Sequence, residues 1–101
     1  MIRLYLLGDV VFHARSVRRG SPSSFVVGDM PFGSYEVTQE DALKNAIRLV
    51  KEAGVNAVKL EGGRRVKDTV KRIVDAGIPV MGHIGCLGIS MLTFRFDTTD
   101  N

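Results

Sequence analysis

The fold of this chain is decided by the stretch Gly28-Asp29-Met30-Pro31-Phe32-Gly33-Ser34-Tyr35 and by two later ones, Val58-Lys59-Leu60-Glu61-Gly62-Gly63 and Met81-Gly82-His83-Ile84-Gly85. In each stretch a short apolar strand ends in an ionisable residue and then runs into glycine-rich backbone. Buried strands rarely carry Asp, Lys, Glu and His at their ends for packing alone. The carboxyl ends of parallel strands lie along one edge of a sheet, where α/β enzymes hold their chemistry. The three stretches therefore predict one shared site at that edge.

The segments around these stretches alternate between helical and extended patterns. Helices are predicted over residues 9–19, 38–53 and 65–76, and short strands over residues 25–27, 55–60 and 78–81. Thr38 is the predicted N-cap of the second helix, whose core-facing stripe is predicted to be Leu43, Ala46, Ile47 and Val50. Alternation of this kind predicts parallel strands joined by right-handed crossovers. After Gly85 the chain is apolar without a clean period, so no element is predicted there.

Three parallel strands need helices on both faces of the sheet or closure into a barrel. A closed (β/α)8 barrel has about 250 residues, whereas this chain has 101. The predicted fold class is therefore α/β, as a fragment of a TIM (β/α)8 barrel with about three parallel strands and their helices.

Composition narrows the functional classes. The chain is 45% hydrophobic and 25% charged, with a net charge of +3, which is ordinary for a globular domain. Its single cysteine, Cys86, cannot form an internal disulfide, so a reducing, cytoplasmic compartment is expected. No apolar run approaches the roughly 20 residues of a membrane helix. The basic residues fall mostly on predicted helix faces without aromatic interleaving, so neither nucleic acid nor a membrane is expected as a partner.

The motifs resemble those of the ketopantoate hydroxymethyltransferases. The resemblance is carried by residues 27–35, 57–63 and 76–85, and the segment His13-Ala14-Arg15-Ser16-Val17-Arg18-Arg19-Gly20 is similar to the helix before that family's third strand. Three long motifs in the right order and spacing are far more specific than a lone glycine pattern. The resemblance implies a TIM barrel of the phosphoenolpyruvate/pyruvate superfamily. It divides the chain into a partial barrel over residues 1–85 and a divergent C-terminal tail over residues 86–101.

The resemblance also implies a reaction and its residues. The family transfers a hydroxymethyl group from 5,10-methylenetetrahydrofolate to 2-oxoisovalerate with Mg²⁺, in pantothenate synthesis, and it forms homo-oligomers. Carried over to this sequence, Asp29 resembles a magnesium ligand that also lies beside the substrate, and Glu61 resembles a further carboxylate of the magnesium site. Lys59 resembles the residue that binds the keto acid, and His83 falls at the rim of the substrate site. A mitochondrial location is the alternative if the source is a eukaryote.

The chain also departs from the family pattern. The family's catalytic glutamate base lies beyond the matched region, so no catalytic residue is assigned to this chain. The family has another magnesium-binding aspartate after its second strand, which Leu7-Gly8-Asp9 superficially resembles. Asp9 is instead interpreted as the start of the first helix, because it lies only four residues before His13. A fusion of the strand end onto the helix is the minority alternative.

Other interpretations stay open at this point. Taken singly, each residue also has a structural interpretation. In these interpretations Asp29 caps a turn, Lys59 and Glu61 form a structural ion pair, and His83 is a satisfied core histidine. For the whole chain, the alternative to a hydroxymethyltransferase is a truncated, inactive remnant that acts at most through subunit contacts. Another magnesium-dependent aldolase or lyase of the same superfamily is a third possibility, against which the loop at residues 31–35 argues.

Overall fold

A computed structural model describes residues 5–84 and 90–94, with side chains from Tyr5 to Gly82. The elements, in chain order, are α1 (Leu7–Gly20), β1 (Val27–Asp29), α2 (Gln39–Ala53), β2 (Ala57–Glu61), one 3₁₀ turn (Gly63–Val66), α3 (Lys67–Asp75), β3 (Val80–Ile84) and β4 (Ser90–Phe94). They form a sheet in the order β1-β2-β3-β4. The first three strands are parallel, which confirms the predicted α/β fold as part of a barrel. Among the described helices, none is both long and apolar enough to cross a bilayer.

Local capping chemistry sets the ends of the helices where the sequence predicts them. The Thr38 hydroxyl accepts a hydrogen bond from the Asp41 backbone N–H at 3.0 Å, which satisfies one of the unpaired donors at the start of α2. Gly54 ends α2 with a φ of 73°, a left-handed conformation that favours glycine. The first helix begins two residues before the predicted Asp9, at Leu7. There the Asp9 carboxylate accepts the Leu6 N–H at 3.1 Å. Asp9 is therefore part of the first helical turn, as interpreted.

Two details of the prediction are wrong. Strand β1 begins at Val27 rather than at Phe25, which is 68% exposed. In α2 the buried residues are Ala42, Ala46, Leu49 and Ala53, while the predicted Ile47 is exposed. The predicted Leu43 and Val50 are partly buried against the core, beside the fully buried Leu49.

Strand β4 was not predicted and changes the sheet. Ser90–Phe94 pairs antiparallel with β3, from Ile84 opposite Ser90 to Val80 opposite Phe94. The sequence there is apolar without strict alternation, so periodicity alone gave no strand signal. The sheet is thus mixed rather than purely parallel. The division of the chain at residue 85 stays a prediction.

The core lies between the sheet and the helices. Its largest fully buried side chains are Leu49, Leu60, Ile73, Val58 and Val80. Successive strand residues point to opposite faces of a sheet. Burying Val58 and Leu60 against the helices therefore turns Lys59 and Glu61 to the other face.

Arg18 ties together the amino-terminal ends of the strands. Its Nε donates to the carbonyl of Gly54 at 2.9 Å, and its Nη1 donates to the carbonyls of Pro22 at 3.0 Å and Ser24 at 2.7 Å. Its Nη2 donates to the side-chain oxygen of Asn56. One planar guanidinium thus joins α1, the turn before β1 and the loop between α2 and β2.

Asn56 extends this cluster to the first strand of the sheet. Its Oδ1 accepts the backbone N–H of Val26 at 2.8 Å in addition to the Arg18 donor. Its own N–H donates to the Val26 carbonyl at 2.8 Å. The start of β1 is therefore held beside the start of β2 by contacts that depend on the position of Arg18.

We expect Arg18→Lys to lower the free energy of unfolding by about 1–3 kcal/mol, because hydrogen bonds from a charged donor carry that much and a lysine cannot supply the fixed fork. Urea denaturation followed by circular dichroism measures the change. Arg19→Lys is the matched control, since among the described residues the side chain of Arg19 forms a hydrogen bond only with Ser16, at 3.5 Å. Equal denaturation midpoints for the two variants would contradict the role given to Arg18.

Candidate functional site

The ionisable residues predicted to share a site lie along one edge of the sheet. Asp29 is the last residue of β1 and Glu61 is the last residue of β2. In the register, Asp29 lies opposite Lys59, and Glu61 lies opposite His83 of β3. Parallel strands are about 4.8 Å apart, so these backbone positions are direct neighbours. The predicted convergence at the carboxyl ends of the strands is therefore observed in the backbone.

Three of the predicted side chains line the same cleft. Asp29, Lys59 and Glu61 border a space of about 790 Å³ between α1 and the ends of β1 and β2. Asp29 and Glu61 are exposed to the cleft, and Lys59 is half-buried. The side chain of His83 lies outside the part of the chain whose side chains are described, so its predicted role at the rim stays a prediction. The roles of the other three also stay predictions, although their placement fits.

The same cleft contains residues that the sequence did not assign to the site. Asp9 and His13 of α1 border it, as does Tyr35 from the loop after β1. His13 is part of the segment similar to the family's helix, and Tyr35 is the last residue of the motif over residues 28–35. The sequence shows that both residues belong to these motifs. It does not show that they border one cleft, because that depends on how α1 and the loop pack on the sheet.

The carboxylates of the cleft would supply some, but not all, of the oxygen ligands of a hard cation. Carboxylate oxygens such as those of Asp29 and Glu61 are the ligands that Mg²⁺ prefers, and Mg²⁺ is usually held by one or two carboxylates together with water. Across residues 5–84 and 90–94, no group of three or more His, Cys, Asp or Glu side chains is close enough to hold a metal ion. Among the side chains described, from Tyr5 to Gly82, the cleft offers one or two carboxylates to a single ion rather than a full set of protein ligands. That arrangement fits Mg²⁺ and does not fit a metal that needs a full set of protein ligands.

The loop after β1 is an ordered turn. The Ser34 hydroxyl donates to the Pro31 carbonyl at 2.6 Å, and the Ser34 carbonyl accepts from the Asn45 side-chain amide at 2.7 Å. Gly33, with a φ of 93°, donates its N–H to the Glu36 carboxylate at 2.7 Å. The bond from Asn45 holds the backbone of the loop against α2, and Tyr35 follows it toward the end of β2.

Tyr35 is the most buried polar side chain of the cleft. It is 9% exposed, and its hydroxyl oxygen accepts the backbone N–H of Glu61 at 3.2 Å. Burial raises the pKa of the Tyr35 phenol above its ordinary value. The hydrogen bond from Glu61 lowers that pKa, and the negative charges of Glu36, Glu61 and Asp29 raise it. Tyr35 therefore stays a neutral phenol at the edge of a group of carboxylates.

Fold and site together define a class. Parallel βα units whose strands end in ionisable residues at a common cleft are part of an α/β enzyme barrel. Comparison with known proteins makes the class specific. The sequence profile described as ketopantoate hydroxymethyltransferase matches residues 5–96, and the chain belongs to that family.

Individual relatives give the same family. A 3-methyl-2-oxobutanoate hydroxymethyltransferase from Alkaliphilus metalliredigens is 61% identical over 77 residues, which are 76% of this chain and 27% of the relative. The protein of the same name from Desulfotalea psychrophila is 62% identical over 79 residues, 78% of this chain and 28% of the relative. One from Emericella nidulans is 57% identical over 79 residues, 78% of this chain and 23% of the relative. The family is thus one of transferases, and this chain spans about a quarter of the length of these relatives.

Proposed function

We propose that this chain carries part of the substrate and metal site of a 3-methyl-2-oxobutanoate hydroxymethyltransferase. The observation that carries the proposal is the cleft at the carboxyl ends of the strands, in which Asp29, Lys59 and Glu61 lie together. The names of the relatives supply the reaction. We further propose that the one-carbon donor is 5,10-methylenetetrahydrofolate and that the acceptor is 2-oxoisovalerate.

The charges of the cleft suit an anionic keto acid. Lys59 provides a positive charge on the strand position beside Asp29, where a carboxylate or a developing negative charge on the keto oxygen is stabilised. Asp29 and Glu61 are the residues that would hold Mg²⁺. Bound there, the ion would polarise the keto group and favour loss of the proton from the neighbouring carbon.

Other parts of the proposal rest on the composition of the chain and on the family. We infer a cytoplasmic location, or a mitochondrial one in a eukaryote, and assembly into a homo-oligomer, with no nucleic-acid or membrane partner. The proton acceptor of the reaction is not assigned to a residue of this chain. The relatives are about four times as long as the matched segment. The second candidate function is an inactive remnant that acts at most through subunit contacts.

We expect Asp29→Asn and Glu61→Gln each to weaken binding of Mg²⁺, because each change removes a charged oxygen ligand. Isothermal titration of the 101-residue chain with Mg²⁺ measures the affinity. Glu52→Gln is the matched control, since Glu52 is an exposed carboxylate of α2 paired with Arg48 at 2.8 Å and lies outside the cleft. Magnesium affinity that is the same in both cleft variants and the control would remove these residues from the metal site.

Lys59→Ala is expected to weaken binding of 2-oxoisovalerate by about 1.5–3 kcal/mol, the usual contribution of a hydrogen bond to a charged group. That range corresponds to roughly a ten- to hundredfold rise in Kd. Titration of the chain with 2-oxoisovalerate in the presence of Mg²⁺ gives the value. Lys67→Ala, at the exposed start of α3, removes a lysine outside the cleft and should leave the affinity unchanged. If both variants bind the keto acid as the unmodified chain does, Lys59 does not contact the substrate.

Turnover separates the two candidate functions. We expect no ketopantoate from the chain by itself when it is supplied with 5,10-methylenetetrahydrofolate, Mg²⁺ and 2-oxoisovalerate, because no proton acceptor is assigned to it. Product formation is followed by chromatography and mass spectrometry, with the Lys59→Ala variant as the background control. Ketopantoate formed by the chain and lost in that variant would show a self-sufficient enzyme and would eliminate the inactive remnant.

A further inference from the structure

The last residue of β2 lacks a strand partner on its β1 side. The N–H of Ala57 donates to the Val26 carbonyl at 3.3 Å, and the carbonyl of Lys59 accepts the Met30 N–H at 2.9 Å. Because the hydrogen-bonding direction of a strand repeats every two residues, the N–H of Glu61 also points toward β1. By that point the chain has left the sheet, since β1 ends at Asp29.

Tyr35 takes the place of the missing strand. Its hydroxyl oxygen accepts the Glu61 N–H at 3.2 Å across 26 positions of sequence. A buried N–H without a partner costs about 1–3 kcal/mol, so this contact substitutes for one rung of the ladder. The phenol is held by the turn at Ser34 through backbone bonds: the Ser34 N–H donates to the Pro31 carbonyl at 3.0 Å, and the Ser34 carbonyl accepts from Asn45 at 2.7 Å.

The chain leaves β2 directly after Glu61. Gly62 has a φ of 130° and Gly63 a φ of 55°, conformations that favour glycine and turn the backbone out of the strand. The orientation of the Glu61 carboxylate therefore depends on contacts made by its own backbone. On one side that contact is the pairing with His83, and on the other it is the Tyr35 hydroxyl.

We propose that Tyr35 is a positioning residue of the cleft, whose hydroxyl holds the end of β2 so that the carboxylates of Glu61 and Asp29 face a common cation. This inference rests on the proposed metal site and adds to it a residue that is not itself a ligand. A phenylalanine would fill the same apolar space, so the role belongs to the hydroxyl and not to the ring. Partners of this kind, which orient metal ligands, typically change metal affinity 10- to 100-fold when removed.

The test compares Tyr35→Phe with Ser34→Ala in the full chain. Both remove one hydroxyl from the same turn, but only the first removes the contact with Glu61. Mg²⁺ affinity is measured by isothermal titration, and thermal unfolding is recorded for each variant. We expect Tyr35→Phe to weaken Mg²⁺ binding roughly tenfold or more, and Ser34→Ala to leave it near that of the unmodified chain.

A spectroscopic signal separates positioning from a general loss of structure. The chain has two tyrosines and no tryptophan, so in a Tyr5→Phe background the near-ultraviolet absorption comes mainly from Tyr35. We expect Mg²⁺ to shift that absorption, because the ion changes the charge beside the phenol. The shift should disappear when Glu61→Gln is added.

The possible results are distinct. If Mg²⁺ binds the unmodified chain and weakens with Glu61→Gln but not with Tyr35→Phe, the positioning role is wrong while the proposed metal site stands. Equal losses in Tyr35→Phe and Ser34→Ala would assign the effect to the turn and overturn the positioning role as well. If the unmodified chain shows neither heat of binding nor an absorption shift with Mg²⁺, the proposed metal site and the inference fall together.

Discussion

The alternation of side chains along β2 is the constraint on which fold and site both depend. Val58 and Leu60 are 0% and 1% exposed and belong to the core beneath the helices. Since successive side chains of a strand point to opposite faces of the sheet, Lys59 and Glu61 face the cleft. A shift of register by one residue would place a lysine and a glutamate in the core. The burial energy of two aliphatic side chains therefore also orients the two charged ones.

The two ends of the sheet have different roles, one in stability and the other in the cleft. At the amino-terminal ends of the strands, Arg18 and Asn56 join α1 and two connections through hydrogen bonds to backbone carbonyls and amides. At the carboxyl ends, the strands finish in Asp29 and Glu61, and the connections are open to the cleft. This separation of stabilising and chemical residues is general in βα barrels. Substitutions at the Arg18 end are expected to change stability, whereas those at the other end are expected to change binding.

Much of this could be predicted from the sequence where the cause is local. Thr38 and Gly54 mark the ends of α2 through their own capping chemistry, and the convergence of Asp29 with Lys59 follows from parallel strands. The buried face of α2 was predicted in part: Ala46 is buried as expected, but the large side chain at its centre is Leu49, and the predicted Ile47 is exposed. The contacts of Arg18 with Asn56 and of Tyr35 with Glu61 join residues 38 and 26 positions apart. Such pairs leave no periodic signal, so the Arg18 cluster and the contact between Tyr35 and Glu61 could not be predicted from the sequence.

Strand β4 has a consequence for completing the barrel. It runs antiparallel along the edge of β3, the edge to which the next parallel strand of a closed barrel would attach. A second polypeptide that supplied such a strand would first have to displace β4 and break its five-residue pairing with β3. Only then would it form its own hydrogen bonds with β3. At the opposite edge, no described strand lies outside β1. Reconstitution from complementary fragments would therefore proceed by addition at β1 and by strand displacement at β3, and the second step would be the slower.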